Sequence, residues 1–195
     1  MSKVVTNMSM SLDGFIADEA DAIDELFGWM GSGDVEVPTA SEWTLRMSPA
    51  SAEYMRSSMA SVGALIAGRR LFDLTHGWGG THPLGVPVVV VTHQPPADWP
   101  HPDTFTFVGD IKTAVAVAKE AAGEKDVVVA SANTAQQCMD AGLLDGIHVD
   151  LVPVILGRGI RWFENLSQAP VHLSTPAVVE GNGVTHLAYT VSRKS

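Results

Sequence analysis

Two adjacent arginines follow a short apolar run and a glycine, a pattern that is suited to binding a phosphate. The run "GALIAG" is typical of a buried strand that ends at Gly68, and "RRLFDLT" after it is typical of a helix start. Gly68 permits close backbone approach, and the helix start offers free N–H groups. Arg69 and Arg70 add cationic forks suited to a phosphate ester or a diphosphate. One of them could instead pair with a carboxylate such as Asp73, so we expect one structural arginine and one that binds an anion.

Two further strand ends carry groups that could hold a nucleotide. Thr92 and His93 follow the apolar run "GVPVVVV", and their side chains could contact a ribose or its phosphate; a polar turn before the next prolines is the alternative. The stretch "DVVVASANTAQQ" passes from strand to helix within residues 130–136, at a turn without glycine. Its helix N-terminus could hold a diphosphate, with Asn133 or Thr134 as the cap.

The sequence offers little support for other site chemistries. The widely spaced histidines include no i, i+4 pair on a predicted helix, so we predict no metal site (His76, His82, His93, His101). No Walker motif or G-x-G-x-x-G occurs, and Ser131 is not in a G-x-S-x-G elbow. Cys138 lies in a helical apolar pattern, which predicts a buried and unreactive thiol.

Composition predicts a single globular α/β domain. The 195 residues are 46% hydrophobic and 17% charged, which is typical of a compact protein rather than a disordered one. A net charge of −10 argues against a nucleic-acid partner, which would require a basic surface. The apolar runs are too short to span a membrane, and a lone cysteine fits a reducing compartment. We therefore expect a cytoplasmic protein with no nucleic-acid or membrane partner.

The elements that must position these residues can be read from the side-chain pattern. The stretch "KVVTNMSMSL" alternates as a strand does, with Ser9 on its small polar face. Residues 18–47 form a long acidic and glycine-containing segment, which is typical of a lid, with a surface excursion as the alternative. Ser48-Pro49 predicts a helix start, and strands then alternate with helices as far as Asn182-Gly183. That pair is favoured in type I′ turns and predicts a closing antiparallel hairpin. The order predicts a mixed, mostly parallel central sheet with helices on both faces.

The order of these pieces resembles the dihydrofolate reductase fold. More closely, it resembles the dihydrofolate-reductase-like family that contains the C-terminal reductase domain of the bacterial riboflavin-biosynthesis deaminase-reductase. The matching motifs are "MSLDGFIA", "GRRLFD", "VPVVVVTHQPP" and "ANTAQQCMDAGLLDGIHVDLVPVILGRGIRWFENL", followed by the hairpin. The resemblance implies one three-layer α/β domain over residues 1–195, with residues 18–47 as an insertion or lid.

The resemblance implies that NADPH binds along the strand ends. Phosphates would meet Gly68, Arg69 and Arg70, with Thr92 and His93 near the adenosine end. The diphosphate would rest on the turn and helix start formed by Ser131, Ala132, Asn133, Thr134, Ala135 and Gln136. Ser9, Ile16 and Ala17 would lie beside the nicotinamide. The substrate would lie under residues 18–47, between Trp43 and Val154.

The implied activity is hydride transfer from NADPH to a small heterocyclic or carbonyl substrate, similar to 5-amino-6-(5-phosphoribosylamino)uracil reductase of riboflavin biosynthesis. Reduction of a C=N or C=O bond also needs a proton, for which Asp13 and Glu42 are the candidate catalytic acids. An Asp before Gly also commonly stabilises a turn, so Asp13 has an alternative role. The family reading further implies a homodimer.

Two departures from the family pattern are visible. The family usually has Gly-Gly where this chain has Ala130-Ser131, and the added Cβ atoms could crowd a diphosphate. A substrate with a ribose phosphate requires a basic pocket, yet Arg46 is the only basic residue within 18–47. The alternative is therefore a non-catalytic protein that binds a small molecule or partner and has a degenerate cofactor site. True dihydrofolate reductase needs a cleft acid on the first helix to meet the pterin. It ranks last, because Glu53 is the only carboxylate there and its neighbours do not match that family well.

Overall fold

The computed structural model describes residues 2–101 and 103–192. Their strands are β1 (Val4–Ser11), β2 (Phe15–Ala17), β3 (Val35–Pro38), β4 (Thr44–Met47), β5 (Val62–Gly68), β6 (Val88–Val91), β7 (Phe105–Val108), β8 (Asp126–Val129), β9 (Gly146–Val152), β10 (Ile160–Arg161), β11 (Ala177–Glu180) and β12 (Thr185–Thr190). The α-helices are α1 (Asp24–Phe27), α2 (Pro49–Ser61), α3 (Arg69–Leu74), α4 (Ile111–Ala122) and α5 (Ala132–Asp140). A short 3₁₀ helix spans Gly28–Gly31, and residues His76–Gly80 form a tight turn in which Gly77, Trp78 and Gly79 have positive φ.

The central sheet has eight strands in the order β11-β12-β9-β1-β8-β5-β6-β7. The strands from β9 to β7 are parallel, whereas β12 runs antiparallel to both β9 and β11. This confirms the mixed, mostly parallel sheet and the closing hairpin. The predicted type I′ turn at Asn182-Gly183 is wrong. That turn requires positive φ at both residues, whereas only Gly183, with a φ of 69°, has it.

Helices cover both faces of this sheet. On one face α4 and α5 share a core with Val4 and Ile66. On the other, Phe72 of α3 packs with Val5 and Leu65. Adjacent residues such as Val4 and Val5 separate in this way because successive strand side chains point to opposite faces. The result is a three-layer α/β arrangement, as the pattern predicts.

The helix starts follow their sequence signals closely. Ser48 caps α2, where its Oγ accepts a hydrogen bond from the Ser51 backbone N–H at 3.3 Å. Asp110 caps α4 in the same way, accepting from the Thr113 N–H at 2.9 Å. Cys138 is fully buried in α5, and burial raises the pKa of its thiol to about 12, in agreement with an unreactive cysteine. Among the described residues, no helix is long and apolar enough to cross a bilayer.

Residues 18–47 fold against the body of the protein. They form α1, a 3₁₀ helix and the β3–β4 hairpin, and they bury Leu26, Trp29 and Val37. These side chains form a separate core with Ala52 of α2 and Val152 of β9. The segment is therefore anchored by its own apolar contacts, and its use as a lid stays a prediction.

Candidate cofactor-binding site

A large cavity of about 910 Å³ lies at the carboxyl ends of the parallel strands. Ligands of open α/β sheets generally bind at this edge. The structure brings all three predicted strand ends to the cavity wall. Of the predicted cofactor contacts, those that line it are Ile16, Ala17, Gly68, Arg69, Arg70, Thr92, His93, Ser131, Ala132, Asn133, Thr134 and Gln136.

Ser9 and Ala135 are the predicted contacts that lie away from this wall. Met8, one residue before Ser9, lines the cavity instead. Ser9 points to the opposite face of β1, where its Oγ accepts a hydrogen bond from the Trp29 Nε1–H at 3.1 Å. Ala135 is fully buried in the core beneath α5. Alternation along the strand identified the small polar face of β1, but the cavity lies on the side of Met8.

Each arginine of the predicted pair has a carboxylate partner. Arg69 Nε donates to both carboxylate oxygens of Asp73, at 2.8 and 2.9 Å, and its Nη1 donates to the Gln94 carbonyl. Arg70 Nε donates to Asp21 Oδ2 at 3.1 Å, joined by a second bond from Nη2. The Asp73 pair agrees with the sequence. The Asp21 pair was missed, because that residue lies 49 positions away within the long segment.

The turn without glycine, at residues 130–133, has a backbone conformation that usually requires glycine. Ser131 precedes the first residue of α5 with φ 79° and ψ 150°, a region that residues other than glycine rarely occupy. Asn133 and Thr134 lie inside the first helical turn, so the prediction that one of them caps α5 is wrong. Thr134 Oγ1 donates to the Ala130 carbonyl and lies 2.8 Å from Ser131 Oγ. Ser131 therefore adopts, at this strand-to-helix turn, the backbone conformation that usually requires glycine.

Gly68 and Ser131 face each other across this end of the sheet. A Cβ atom on Gly68 would come within 2.9 Å of Ser131 Oγ, closer than packed atoms tolerate. The absence of a side chain at Gly68 leaves room for the Ser131 hydroxyl. Both residues line the cavity, so the hydroxyl takes up part of the approach to the α5 N-terminus.

Arg161 is a cavity residue that the sequence reasoning missed. Strand β10 pairs with β2 and brings Ile160 opposite Ala17. The Arg161 guanidinium lies 4.4 Å from the centre of the Phe15 ring, a cation–π distance. Unlike Arg69 and Arg70, it forms no ion pair with a carboxylate in the described part of the chain. The "RGIRWF" motif was the available signal, but it reads as a turn that leaves a strand.

The two predicted acids, Asp13 and Glu42, lie outside the residues that line the cavity. Asp13 accepts from Ser11 Oγ at 2.7 Å and from the backbone N–H groups of Leu156 and Gly157 at 3.1 and 2.7 Å. These bonds, that from Ser11 first, hold its pKa below the ordinary value. The geometry matches the turn-stabilising alternative for Asp13. Glu42 is exposed in the loop before β4.

The predicted substrate contacts also lie apart from the cavity lining. Trp43 is 64% exposed, and Val154 packs against the core beneath residues 18–47. The carboxylates that line the cavity, within the described residues, are Asp21 and Glu164. The roles of Trp43, Val154, Asp13 and Glu42 in binding or catalysis stay predictions.

Comparison with known proteins points to one family and one fold. The family model described as the RibD C-terminal domain matches residues 2–178. No protein of curated function matches the chain significantly.

Three solved structures are similar over nearly the whole chain. A Shewanella sp. PV-4 protein named for riboflavin biosynthesis has 23% identity and a TM-score of 0.70, with 99% of this chain and 100% of that chain covered. The diaminohydroxyphosphoribosylaminopyrimidine deaminase/5-amino-6-(5-phosphoribosylamino)uracil reductase of Thermotoga maritima has 12% identity and a TM-score of 0.62; the match covers 98% of this chain but 57% of that one. Dihydrofolate reductase of Enterococcus faecalis, complexed with NADP(H) and RAB-propyl, has 14% identity and a TM-score of 0.59, covering 98% and 97%. At these identities the similarity speaks for the fold, and it confirms the dihydrofolate-reductase-like fold predicted from the sequence.

Proposed function

We propose that this chain, which belongs to the RibD C-terminal domain family, is a reductase that uses NADPH to reduce a small heterocyclic or carbonyl compound. The observation that carries the proposal is the convergence of three strand ends, whose residues are suited to a nucleotide, on one cavity of about 910 Å³. A volume at the upper end of the usual range for ligand pockets suits a long dinucleotide.

The residues of the cavity wall fit the parts of such a cofactor. The N-terminus of α5 and the side chains of Arg69 and Arg70 line the cavity. They suit a diphosphate and a further phosphate, because the N–H groups of a helix start and guanidinium groups bind phosphate oxygens. Thr92 and His93 suit the adenosine end. Bound NADPH would supply the hydride.

The reacting end of the cavity is apolar. Ile16 and Ala17 of β2 line it together with Met8 and Ile160. These side chains would hold a nicotinamide ring and exclude water from it, which is the main contribution a protein makes to hydride transfer. Asp13 would act by tying the β1 end to residues 156–157, which fixes the path of β2. Because its pKa is lowered, Asp13 would stay ionised near neutral pH and would have no proton of its own to donate. Asp13 and Glu42 both lie outside the cavity lining, so either would act on the substrate through water.

The charges around the cavity bear on whether the substrate carries a phosphate. A pyrimidine that carries a ribose phosphate, as in riboflavin biosynthesis, requires a cation near the reacting end. Arg46 is exposed and paired with Glu36 at 3.2 Å, so it offers little. Arg161 lies beside β2 and lines the cavity, and it is the residue that would meet a substrate phosphate.

Titration with NADPH and NADH, followed by tryptophan fluorescence, tests the cofactor. We expect micromolar binding of NADPH, weaker binding of NADH, and at least about tenfold weaker NADPH binding after Arg69→Ala plus Arg70→Ala, because charge-assisted phosphate contacts are lost. Arg46→Ala is the control, since it removes a positive charge away from the cavity. Absence of binding at millimolar NADPH would overturn the proposal. It would favour the alternative of a non-catalytic binding protein, for which the two occupied arginines are the supporting observation.

A further inference from the structure

Part of the cavity wall is apolar and lies apart from the three strand ends that suit a nucleotide. Residues 20–23, which follow β2, line the cavity together with α3. A reductase must hold its substrate beside the cofactor, so the wall that the cofactor leaves free bears on the substrate. The apolar side chains of this wall, called here the apolar patch, are Ala20, Ala22, Ile23, Leu71 and Leu74.

One ion pair holds the two parts of the apolar patch side by side. Asp21 Oδ2 accepts a hydrogen bond from Arg70 Nε at 3.1 Å, which joins residues 20–23 to α3. Leu74 lies one helical turn after Arg70, and residues with this spacing share a helix face. Apolar side chains from both elements therefore lie around the ion pair.

The loop that carries half of the apolar patch is held by its own hydrogen bonds. Asp18 Oδ1 accepts from the backbone N–H groups of Ala20 and Ala22, at 2.7 and 2.8 Å. The Ile23 carbonyl accepts from the N–H of Leu26 at 2.9 Å, and the Leu26 side chain is fully buried. Ile23 itself is nevertheless 43% exposed. The backbone therefore holds an exposed isoleucine at the cavity wall.

The exposure of the large side chains in the apolar patch indicates a ligand. Leu74 is 52% exposed, which is more than Ile23. Single exposed apolar residues are common on protein surfaces. Two of them on neighbouring elements that line one cavity are instead typical of a ligand pocket, whose walls are mainly apolar. An apolar group that covers both side chains would remove their surface from water, which stabilises the complex.

The charges near the apolar patch do not favour a phosphate. Arg70 is already paired with Asp21, whose carboxylate would repel an anion. Arg161 lies at the Phe15 end of β2, where its guanidinium stacks on the Phe15 ring. The patch begins beyond Ala17, at the other end of β2. A phosphate that met Arg161 would therefore lie away from the patch, which suits an uncharged group.

We propose that the apolar patch is a subsite for an aryl or branched alkyl group of an uncharged carbonyl compound. The group lies between residues 20–23 and α3, in contact with Ile23 and Leu74. Its carbonyl end extends past Ala17 toward the reacting end of the cavity. The identification of this compound as the substrate rests on the proposed function, whereas its binding to the patch does not.

Fluorescence titration with 6-propionyl-2-(dimethylamino)naphthalene tests the subsite, because this uncharged aryl ketone emits at shorter wavelength in apolar surroundings. We expect micromolar binding by the wild type. We expect about three- to tenfold weaker binding in Leu74→Gln and in Ile23→Asn, because apolar contact area is lost. Both side chains are about half exposed, so neither change removes a core contact that folding requires.

Two matched variants control for exposed apolar surface in general. Leu173→Gln and Ile155→Asn make the same exchanges at exposed residues outside the cavity lining, and they should bind the ketone as the wild type does. Absence of ketone binding by the wild type would overturn the subsite. Equal binding by the wild type and by both patch variants, or equal losses in patch and control variants, would overturn it as well.

NADPH titration separates the subsite from the cofactor site. Leu74→Gln and Ile23→Asn should bind NADPH as tightly as the wild type, because the groups that suit the cofactor lie at the strand ends. Equal losses of NADPH and ketone binding would assign the apolar patch to the cofactor and overturn the subsite. NADPH binding without ketone binding rejects the subsite alone. Ketone binding that depends on Leu74, without NADPH binding, rejects the proposed function alone.

Competition with ribose 5-phosphate tests whether the ligand is uncharged. The protein is first saturated with NADPH, so that the groups proposed to bind the cofactor phosphates are occupied. Millimolar ribose 5-phosphate should then leave the bound ketone in place, because the carboxylate of Asp21 repels an anion near the apolar patch. Displacement of the ketone would mean that a sugar phosphate takes the same place, and it would overturn the assignment to an uncharged compound.

Discussion

At the scale of single residues, Ser131 shows how the chain retains a glycine turn without glycine. Its φ of 79° and ψ of 150° carry a strain of about 1–3 kcal/mol for a residue with a Cβ atom. Ser131→Gly releases that strain. It also loses the contact with Thr134 and makes the unfolded chain more flexible, and each of these two effects lowers the free energy of unfolding by about 1 kcal/mol. We expect Ser131→Gly to be as stable as the wild type or up to about 1 kcal/mol more stable in urea unfolding.

Ser131→Ala is the control for this prediction. It keeps the strained backbone and loses the hydroxyl, so we expect a loss of about 1 kcal/mol in the free energy of unfolding. Equal losses in the two variants would mean that the backbone at this position is not strained. The two variants also test NADPH binding. Ser131→Gly clears the approach to the α5 N-terminus and should bind NADPH at least as tightly as the wild type.

At the scale of elements, the segment 18–47 contacts α3 through the ion pair of Asp21 with Arg70. Asp21 has a φ of 63°, which asparagine also tolerates, so Asp21→Asn removes the charge without forcing the backbone. If Arg70 meets a cofactor phosphate, the change frees its guanidinium and removes a repelling carboxylate from the cavity wall. We expect NADPH affinity to rise about two- to fivefold at low salt, in keeping with a pair whose arginine is largely exposed.

The salt dependence and a second variant check this prediction. The gain should shrink at high ionic strength, because the charges concerned are screened. Glu19→Gln is the matched control: it removes the same charge from the same segment, where Glu19 pairs with Arg158 at 3.3 Å, outside the cavity lining. A gain of equal size in both variants would point to net charge rather than to Arg70.

The elements also show which parts of the site could be predicted from the sequence. Gly68 and Thr92 could be predicted as site residues because each lies where a short apolar run ends, and the ends of parallel strands meet at one edge of the sheet. Strand alternation placed Ser9 correctly on a polar face. It could not say which face meets the cavity, because that depends on how β2 and β10 cross the end of β1. The partner of Arg70 lies far away in sequence, so no local pattern could show it.

At the scale of the whole molecule, stability in acid should depend in part on His82, which is partly buried. Burial lowers the pKa of His82 to about 4, and its Nδ1 accepts a hydrogen bond from the Leu84 N–H at 3.1 Å. The folded protein therefore keeps His82 neutral, while the unfolded chain binds a proton near the ordinary pKa of 6.5. The unfolded state binds more protons between these two pH values. The contribution of His82 to the free energy of unfolding is therefore fully present above pH 6.5 and is lost as the pH drops toward 4. The loss from this residue is of the order of 3 kcal/mol.

Replacing His82 by asparagine should flatten this part of the stability profile. Asparagine can still accept from the backbone two residues ahead, so the turn keeps its bond but no longer titrates. We expect urea unfolding at several pH values to give His82→Asn a smaller loss between pH 6.5 and 4 than the wild type. Trp78→Phe is the control, because Trp78 packs edge-on against the imidazole at 4.5 Å and its truncation lowers stability while leaving the titrating group in place. A wild-type slope in His82→Asn would assign the acid sensitivity to other groups. A flattened slope would show that the imidazole of His82, outside the cavity lining, contributes to the acid sensitivity of the fold.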